Sequence, residues 1–264
     1  ANPNNYVCFG SNESPCPTDN LYRIIGVFGD KVKLIKSDYA NSNLLGTDGD
    51  YSGSETPDAS YYKGNLTTVN TYYWNYKATH SVTNTWSTSL LNKTNLNTNF
   101  ITNIGTEWAN KIATTTWKVG GNTLENIRDV VPATAYQNEI VNPVTTYTTD
   151  NATEYPAKIG LMYASDYGFA ADPSAWTTTL LNYDGSVNGS TISSLNWMDM
   201  GGYREWIISR NSSYAYDVFH VFASGFVGYN KALDAYVVRP SFNLKSSVTY
   251  VSGSGSADDP IRIG

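Results

Sequence analysis

The side chains best suited to chemistry are few: two histidines, His80 and His220, two cysteines, Cys8 and Cys16, and scattered carboxylates. No Gly-x-Ser-x-Gly elbow accompanies either histidine, and no local pattern sets a nucleophile beside a base. His80 lies in a Thr/Ser/Asn stretch and His220 among apolar residues of a predicted strand, so the two do not read as a metal-ligand pair. Asp166, Asp172, Asp199, Glu205 and Asp217 are available as acid and base. Nothing in their spacing selects the roughly 5 Å or 9 Å separation of a glycosidase pair. Asp48-Gly-Asp50 lacks the remaining ligands of a calcium loop, and Gly120-Gly121 reads as a turn rather than a phosphate cradle. The sequence therefore assigns no catalytic residue, no metal and no cofactor.

Cys8 and Cys16 are the only cysteines, separated by a short stretch containing Gly, Ser and Pro. A zinc knuckle or redox Cys-x-x-Cys is absent, and a local disulfide is the expected state, with two free thiols as the alternative. The 264 residues carry 17 basic and 23 acidic side chains, a net charge of −6, so phosphate-backbone binding is disfavoured and no nucleic-acid partner is expected. Solubility comes instead from Asn, Ser, Thr and 21 Tyr, a composition that fits an extracellular or cell-surface location. No apolar run approaches a membrane span, so no membrane insertion of this segment is expected, and the missing signal pattern suggests a mature or trimmed segment.

The elements that must position these groups are short. Leu21 to Phe28 and Lys31 to Lys36, joined by Gly29-Asp30, read as a β-hairpin, with Ile35 breaking the alternation. Residues 37 to 75 read as a long ordered loop. Two helices follow: one from a Thr85 cap with Trp86, Leu90 and Leu91 on one face, one near Asn103 to Ile112 with Ile104, Trp108 and Ile112 in register. Strands are expected at Thr114 to Val119, Lys158 to Tyr163, Trp206 to Ser209, Tyr216 to Phe222 and Tyr236 to Leu244. Short strands, two helices and long polar loops predict an α+β chain folded as one domain over 1–264, its N-terminal hairpin and disulfide loop in 1–36.

The C-terminal third carries the most specific pattern. Trp197-Met-Asp-Met-Gly-Gly-Tyr-Arg-Glu-Trp206 resembles the Asp-Met-x-Gly-Asn-x-x-Glu-Trp signature of formylglycine-generating-enzyme-like proteins, a branch of the C-type-lectin-like fold. Asp199, Met200, Gly202, Glu205 and Trp206 match; the Asn is missing and the segment is one residue shorter. Val237 to Leu244 resembles the Gly-Val-Arg-Pro-x-x-x-Leu end strand of that group, with Val237 in place of Gly. Trp86-x-x-Ser89-x-Leu91 with Leu96-Asn97 resembles a helix of related bacterial surface domains. The resemblance spans about residues 80 to 250 and implies a C-type-lectin-like core of twisted antiparallel strands, two helices and long loops. Formylglycine synthesis is not implied, because its cysteine pair near the final strand is missing. Calcium-dependent sugar binding is not implied either, because the Glu-Pro-Asn and Gln-Pro-Asp tripeptides do not occur.

The whole chain also resembles secreted or pilin-like surface proteins of gut Firmicutes, and the variable proteins of diversity-generating retroelements, which replace adenine-encoded positions across a C-terminal lectin-like segment. Between 203 and 236 the residue set such replacement yields is crowded together. The candidate ligand-binding residues are Tyr203, Arg204, Asn211, Tyr214, Tyr216, Asp217, His220, Phe222, Phe226, Tyr229, Asn230, Asp234 and Tyr236. An apolar frame of Trp206, Ile208, Val218, Val221, Val227 and Val237 runs between them. Exposed aromatics with adaptable polar side chains suit recognition, as in antibody loops. The expectation is a non-enzymatic, adhesin- or receptor-type protein whose partner is a protein or glycan on another cell or host surface. A fixed binding surface, a structural or pilin-like module and a hydrolase are the alternatives. Outside 203–236 the polar composition reads as solvated loop.

Overall fold

The computed structural model describes residues 2–47, 62–66, 69–75, 83–143 and 152–264. Strands β1 (Tyr6–Cys8), β2 (Leu21–Phe28) and β3 (Lys31–Lys36) run antiparallel in succession. The β2–β3 hairpin forms as expected, with Phe28 opposite Lys31 across Gly29-Asp30. Gly29 supplies the positive φ of 64° that a two-residue turn needs. Ile35 breaks the alternation because both faces of this strand end are buried: Leu34 joins one apolar cluster and Ile35 the other.

A second hairpin, β4 (Tyr62–Leu66) and β5 (Val69–Tyr73), corrects the expected continuous loop over 37 to 75, as does a helical turn at Ser42–Leu45. Asp48-Gly-Asp50 and His80 lie outside the described residues. The first expected helix is longer than its apolar spacing suggested. A turn at Trp86–Thr88 leads into a helix wound to the π pitch over Leu91–Phe100, continuing through Ile101–Asn103. The second shrinks to Thr106–Ala109, because Gly105, with φ of 83°, separates the two; Trp108 and Ile112 still bury as expected.

Strand β6 (Thr115–Lys118) is followed by β7 (Gly121–Asn122), so Gly121 is part of a strand rather than a simple turn. Next come β8 (Glu154–Ala157), paired with β6, and β9 (Ile159–Gly160). Only these two residues of the expected 158–163 strand pair, and Ala164–Phe169 is a helix. The remaining strands are β10 (Ser186–Val187), β11 (Ser190–Thr191), β12 (Glu205–Asn211), β13 (Asp217–Val221), β14 (Val227–Lys231), β15 (Ala235–Tyr236), β16 (Ser241–Asn243), β17 (Tyr250–Ser252) and β18 (Arg262–Ile263). Short helices at Leu124–Ile127, Pro132–Tyr136 and Ile192–Leu195 add to the two that the sequence shows. The result is a mixed α and β chain with several small, mainly antiparallel sheets.

Two sheets organise the core. One has the order β1-β2-β3-β16-β9, so the N-terminal hairpin lies beside a C-terminal strand. Phe9 ties them further, with ring centroids 5.4 Å from Tyr22, 5.0 Å from Trp108 and 4.8 Å from Phe242. The other sheet, β14-β13-β12-β7, is covered on both faces. Trp206, Ile208 and Val218 pack into one apolar cluster, and Ile207, Phe219, Val221 and Val227 into the other. Among the described residues, no helix is long and apolar enough to cross a membrane.

Much of the asparagine is structural rather than solvated loop. Asn92 Nδ2 donates to Trp86 O at 2.8 Å, Asn95 Nδ2 to Leu45 O at 2.9 Å and Asn97 Nδ2 to Ile159 O at 3.0 Å. A short side-chain amide fastens irregular backbone whose carbonyls no ladder satisfies. Cys8 and Cys16 form a disulfide. The two motifs of the C-terminal third meet in a buried, bidentate ion pair. Arg239 Nε donates to Glu205 Oε1 at 2.7 Å and Nη2 to Oε2 at 2.9 Å, with Nη2 also donating to Met198 O at 2.6 Å. The Arg239 and Glu205 side chains are 1% and 4% exposed.

Replacing Arg239→Met strands a buried carboxylate and is expected to lower unfolding free energy by about 3–5 kcal/mol. The Glu205→Met, Arg239→Met double variant should lose less, which urea unfolding measures. Reducing the disulfide frees a short loop and should cost about 2–3 kcal/mol in the same assay.

Candidate functional site

The 203–236 segment is built on β12, β13 and β14, whose hydrophobic alternation anchors both faces and leaves side chains free at strand ends, turns and the β14 edge. Tyr214, Tyr216 and Tyr229 are exposed, at 48%, 42% and 37%. Tyr203, Arg204, Phe222, Phe226, Asn230 and Asp234 are partly exposed. Asn211, Asp217, His220 and Tyr236 are buried, so as free contact residues these four are corrected to supports. Their burial has a physical reason. Asn211 Oδ1 accepts from Ser213 N at 2.8 Å, turning the chain out of β12. The Tyr236 hydroxyl accepts from Arg204 Nη1 at 3.0 Å and Asn230 Nδ2 at 2.7 Å, and its ring packs 4.3 Å from Trp206. His220 pairs with Trp206 across β12–β13 and so points to that same buried face. Burial lifts the Asp217 carboxyl to about 6, against the opposing pull of Lys231.

The exposed tyrosines form two groups. Tyr214 and Tyr216 stand together at the turn between β12 and β13, their rings 6.0 Å apart. Tyr229 lies opposite Phe219 on β14, so it shares the face that Phe219 occupies, while Asn230 shares the His220 side. Around the latter, Phe222 and Phe226 stack with centroids 4.5 Å apart and planes 15° apart, and the Arg204 guanidinium lies 4.1 Å over Phe222. Arg204 separates two shallow clefts, one of about 310 Å³ toward His220 and Asn230 and one of about 300 Å³ toward Tyr203 and Ala235.

Three positioning residues escape sequence reasoning. Asn84, fully buried, donates through Nδ2 to the carbonyls of Asn211 (2.7 Å), Tyr214 (3.0 Å) and Asp217 (2.6 Å), while its N–H bonds Ala215 O at 2.7 Å. One amide thus clamps the loop that carries Tyr214 and Tyr216. Arg128 Nε donates to Val227 O at 3.1 Å, and its guanidinium lies 5.3 Å over Tyr229. Tyr39 hydrogen-bonds Gly201 O at 3.2 Å and meets Tyr203 edge-on at 5.8 Å. All three come from distant sequence, and no spacing signal links them to 203–236.

Four of the five carboxylates weighed for acid–base work have structural partners. Asp166 is ion-paired with Lys33 and accepts from Tyr163 N. Asp172 accepts from Ser174 N, Asp199 accepts from Gly201 N, and Glu205 holds Arg239. Gly225, with φ of 99°, gives Asp199 its room: a Cβ there would sit 2.7 Å from the carboxylate oxygen. A cavity of about 450 Å³ lies at the Lys33–Asp166 pair and is lined by no residue of 203–236. Among the described residues, no three or more His, Cys, Asp or Glu side chains gather to hold a metal ion. No family model matches the chain, and no curated protein or solved structure matches it either.

Burial holds the His220 imidazole down at about 4, and the positive charges of Arg204 and Arg128 push the same way. Between that value and the unfolded value of about 6.5, the unfolded chain binds the proton and the folded chain does not. The neutral histidine therefore contributes its stability in full above pH 6.5 and loses it as pH falls toward 4. Asp217, lifted to about 6, contributes in the opposite sense over much of this window. Comparison with His220→Gln isolates the histidine: the wild-type advantage should shrink by up to about 3 kcal/mol between pH 7 and pH 4 in urea unfolding.

Proposed function

We propose that this chain is a C-type-lectin-like, non-enzymatic recognition protein that works outside the cell. It binds a protein or glycan ligand on another surface through the solvent-facing part of residues 203–236. The single observation that carries the reading is the arrangement of that segment. Tyr214, Tyr216 and Tyr229 stand exposed, with Arg204, Phe222, Phe226 and Asn230 half exposed, on a sheet whose two faces are buried in separate apolar clusters. Tyrosines on a rigid base offer contact area at low entropy cost, which is what a recognition face requires.

Two further observations support parts of the reading. The Glu205–Arg239 ion pair joins two of the motifs that carry the resemblance, as expected if both belong to one lectin-like core within a single domain. The Cys8–Cys16 disulfide suits an oxidising, extracytoplasmic compartment. In the retroelement form of the proposal, the exposed positions of 203–236 are the replaced ones and the frame of Trp206, Ile208, Val218 and Val227 is invariant.

The test is a protein and glycan array probed with the purified chain, beside a Tyr214→Ser, Tyr216→Ser, Tyr229→Ser triple variant. The wild type should capture a defined ligand and the variant should lose at least tenfold in affinity, with an unfolding midpoint unchanged. Equal capture by both proteins overturns the recognition face. Sequencing the surrounding locus checks the retroelement form, which requires a reverse transcriptase gene and an adenine-bearing template copy of the 203–236 codons.

A further inference from the structure

The cleft of about 310 Å³ at the edge of the proposed recognition face carries a charge pattern of its own. Arg128 and Arg204 both line it, and no carboxylate does, although the chain as a whole has a net charge of −6. Neither guanidinium forms an ion pair with any carboxylate among the described residues. Asp234 reaches Arg204 only as a longer-range charge. Arg128 uses Nε on Val227 O, and Arg204 uses Nη1 on the Tyr236 hydroxyl, which leaves most of the five N–H donors of each group open.

Both forks are held in place. The Arg204 guanidinium lies 4.1 Å over the ring of Phe222, which stacks on Phe226, and that of Arg128 lies 5.3 Å over Tyr229. A guanidinium fixed by stacking presents its N–H edge ready for two parallel bonds to a carboxylate. His220, which is 1% exposed, also lines the cleft.

We propose that this cleft binds the carboxylate of an acidic sugar unit, a uronic or sialic acid within a surface glycan, with Arg128 and Arg204 sharing the charge. The inference rests on the recognition reading above and narrows its ligand. A sugar ring fits better than an extended peptide because three outward backbone groups of the β14 edge, Val227 O, Lys231 N and Lys231 O, are already bonded. Phe222 N bonds Phe226 O across the turn, so 227, 229 and 231 turn their backbone groups outward. Arg128 already takes Val227 O, and Asn230 Oδ1 takes Lys231 N. The aromatic walls suit the C–H faces of a pyranose, and Asn230 suits its hydroxyls.

The test is titration calorimetry of the purified chain with four probes: glucuronic acid, N-acetylneuraminic acid, glucose and an oligoglutamate peptide. At least one acidic sugar should bind tenfold or more tighter than glucose and the peptide, and weaken as sodium chloride rises from 50 to 300 mM. Arg128→Gln and Arg204→Gln should each lose tenfold or more, and Arg128→Lys should fall between, since it keeps charge without the fork. Unfolding midpoints of the variants verify the fold; a variant that fails this check is replaced by Arg128→Lys as the reporter. Glucose or oligoglutamate binding as tightly as the acidic sugars, no binding of either acidic sugar, or an Arg128→Gln variant with unchanged affinity each overturn the inference. These outcomes separate from the wider reading. Array capture lost in the tyrosine triple variant, without acidic-sugar binding, leaves the recognition face standing and the cleft proposal refuted. Acidic-sugar binding with unchanged capture by that variant does the reverse.

Discussion

The buried pairing of Glu205 with Arg239 is the interaction on which the C-terminal architecture depends. Two desolvated charges are tolerated only when geometry is good and the leftover donors are satisfied. Here both carboxylate oxygens are used, and Nη2, which bonds one of them, also donates to Met198 O. The consequence is positional. Glu205 opens β12, Arg239 precedes β16, and the pair therefore fixes the sheet bearing the tyrosines against the sheet containing the N-terminal hairpin. Trp206 N bonding Val237 O and Val237 N bonding Arg204 O lock the same crossing from the backbone side. Arg204, at the boundary of the two clefts, takes its position from this crossing.

From that anchor the remaining organisation follows by burial. The sheet β14-β13-β12-β7 has no solvated face, so its strands place only their ends, their turns and one edge against water. The exposed aromatic and polar side chains gather at those limits. The mid-strand residues that chemistry would favour, His220 above all, end up inside. A neutral, buried histidine there is a consequence of the alternation that puts Trp206 and Val218 on the same side.

How much of this was legible in the sequence depends on the range of the forces involved. The β2–β3 hairpin was readable because Gly29-Asp30 and the flanking β-branched residues act locally. So was the disulfide, since Cys8 and Cys16 are neighbours in sequence. The motif residues Glu205 and Arg239 stood out, but not that they touch. Asn211, Asp217, His220 and Tyr236 were assigned to a binding face on composition; their burial follows from tertiary pairings that residue type does not report. The β4–β5 hairpin was missed because its stretch is polar, and the asparagines of Leu91–Phe100 because amides bonding distant carbonyls leave no periodicity. Arg128 and Asn84 were silent for the same reason.

Asn84 has a further consequence. Each of its contacts with the 211–217 loop is to a main-chain carbonyl: those of Asn211, Tyr214 and Asp217 from its side chain, and that of Ala215 from its own N–H. A clamp that touches only carbonyl oxygens is indifferent to what those residues carry. Side chains between 212 and 216 are thereby released from responsibility for the path of the loop. The conformation is held from outside the stretch, by the Asn84 amide together with the Asn211 side chain on Ser213 N, so Tyr214 and Tyr216 can be exchanged without moving the backbone that carries them.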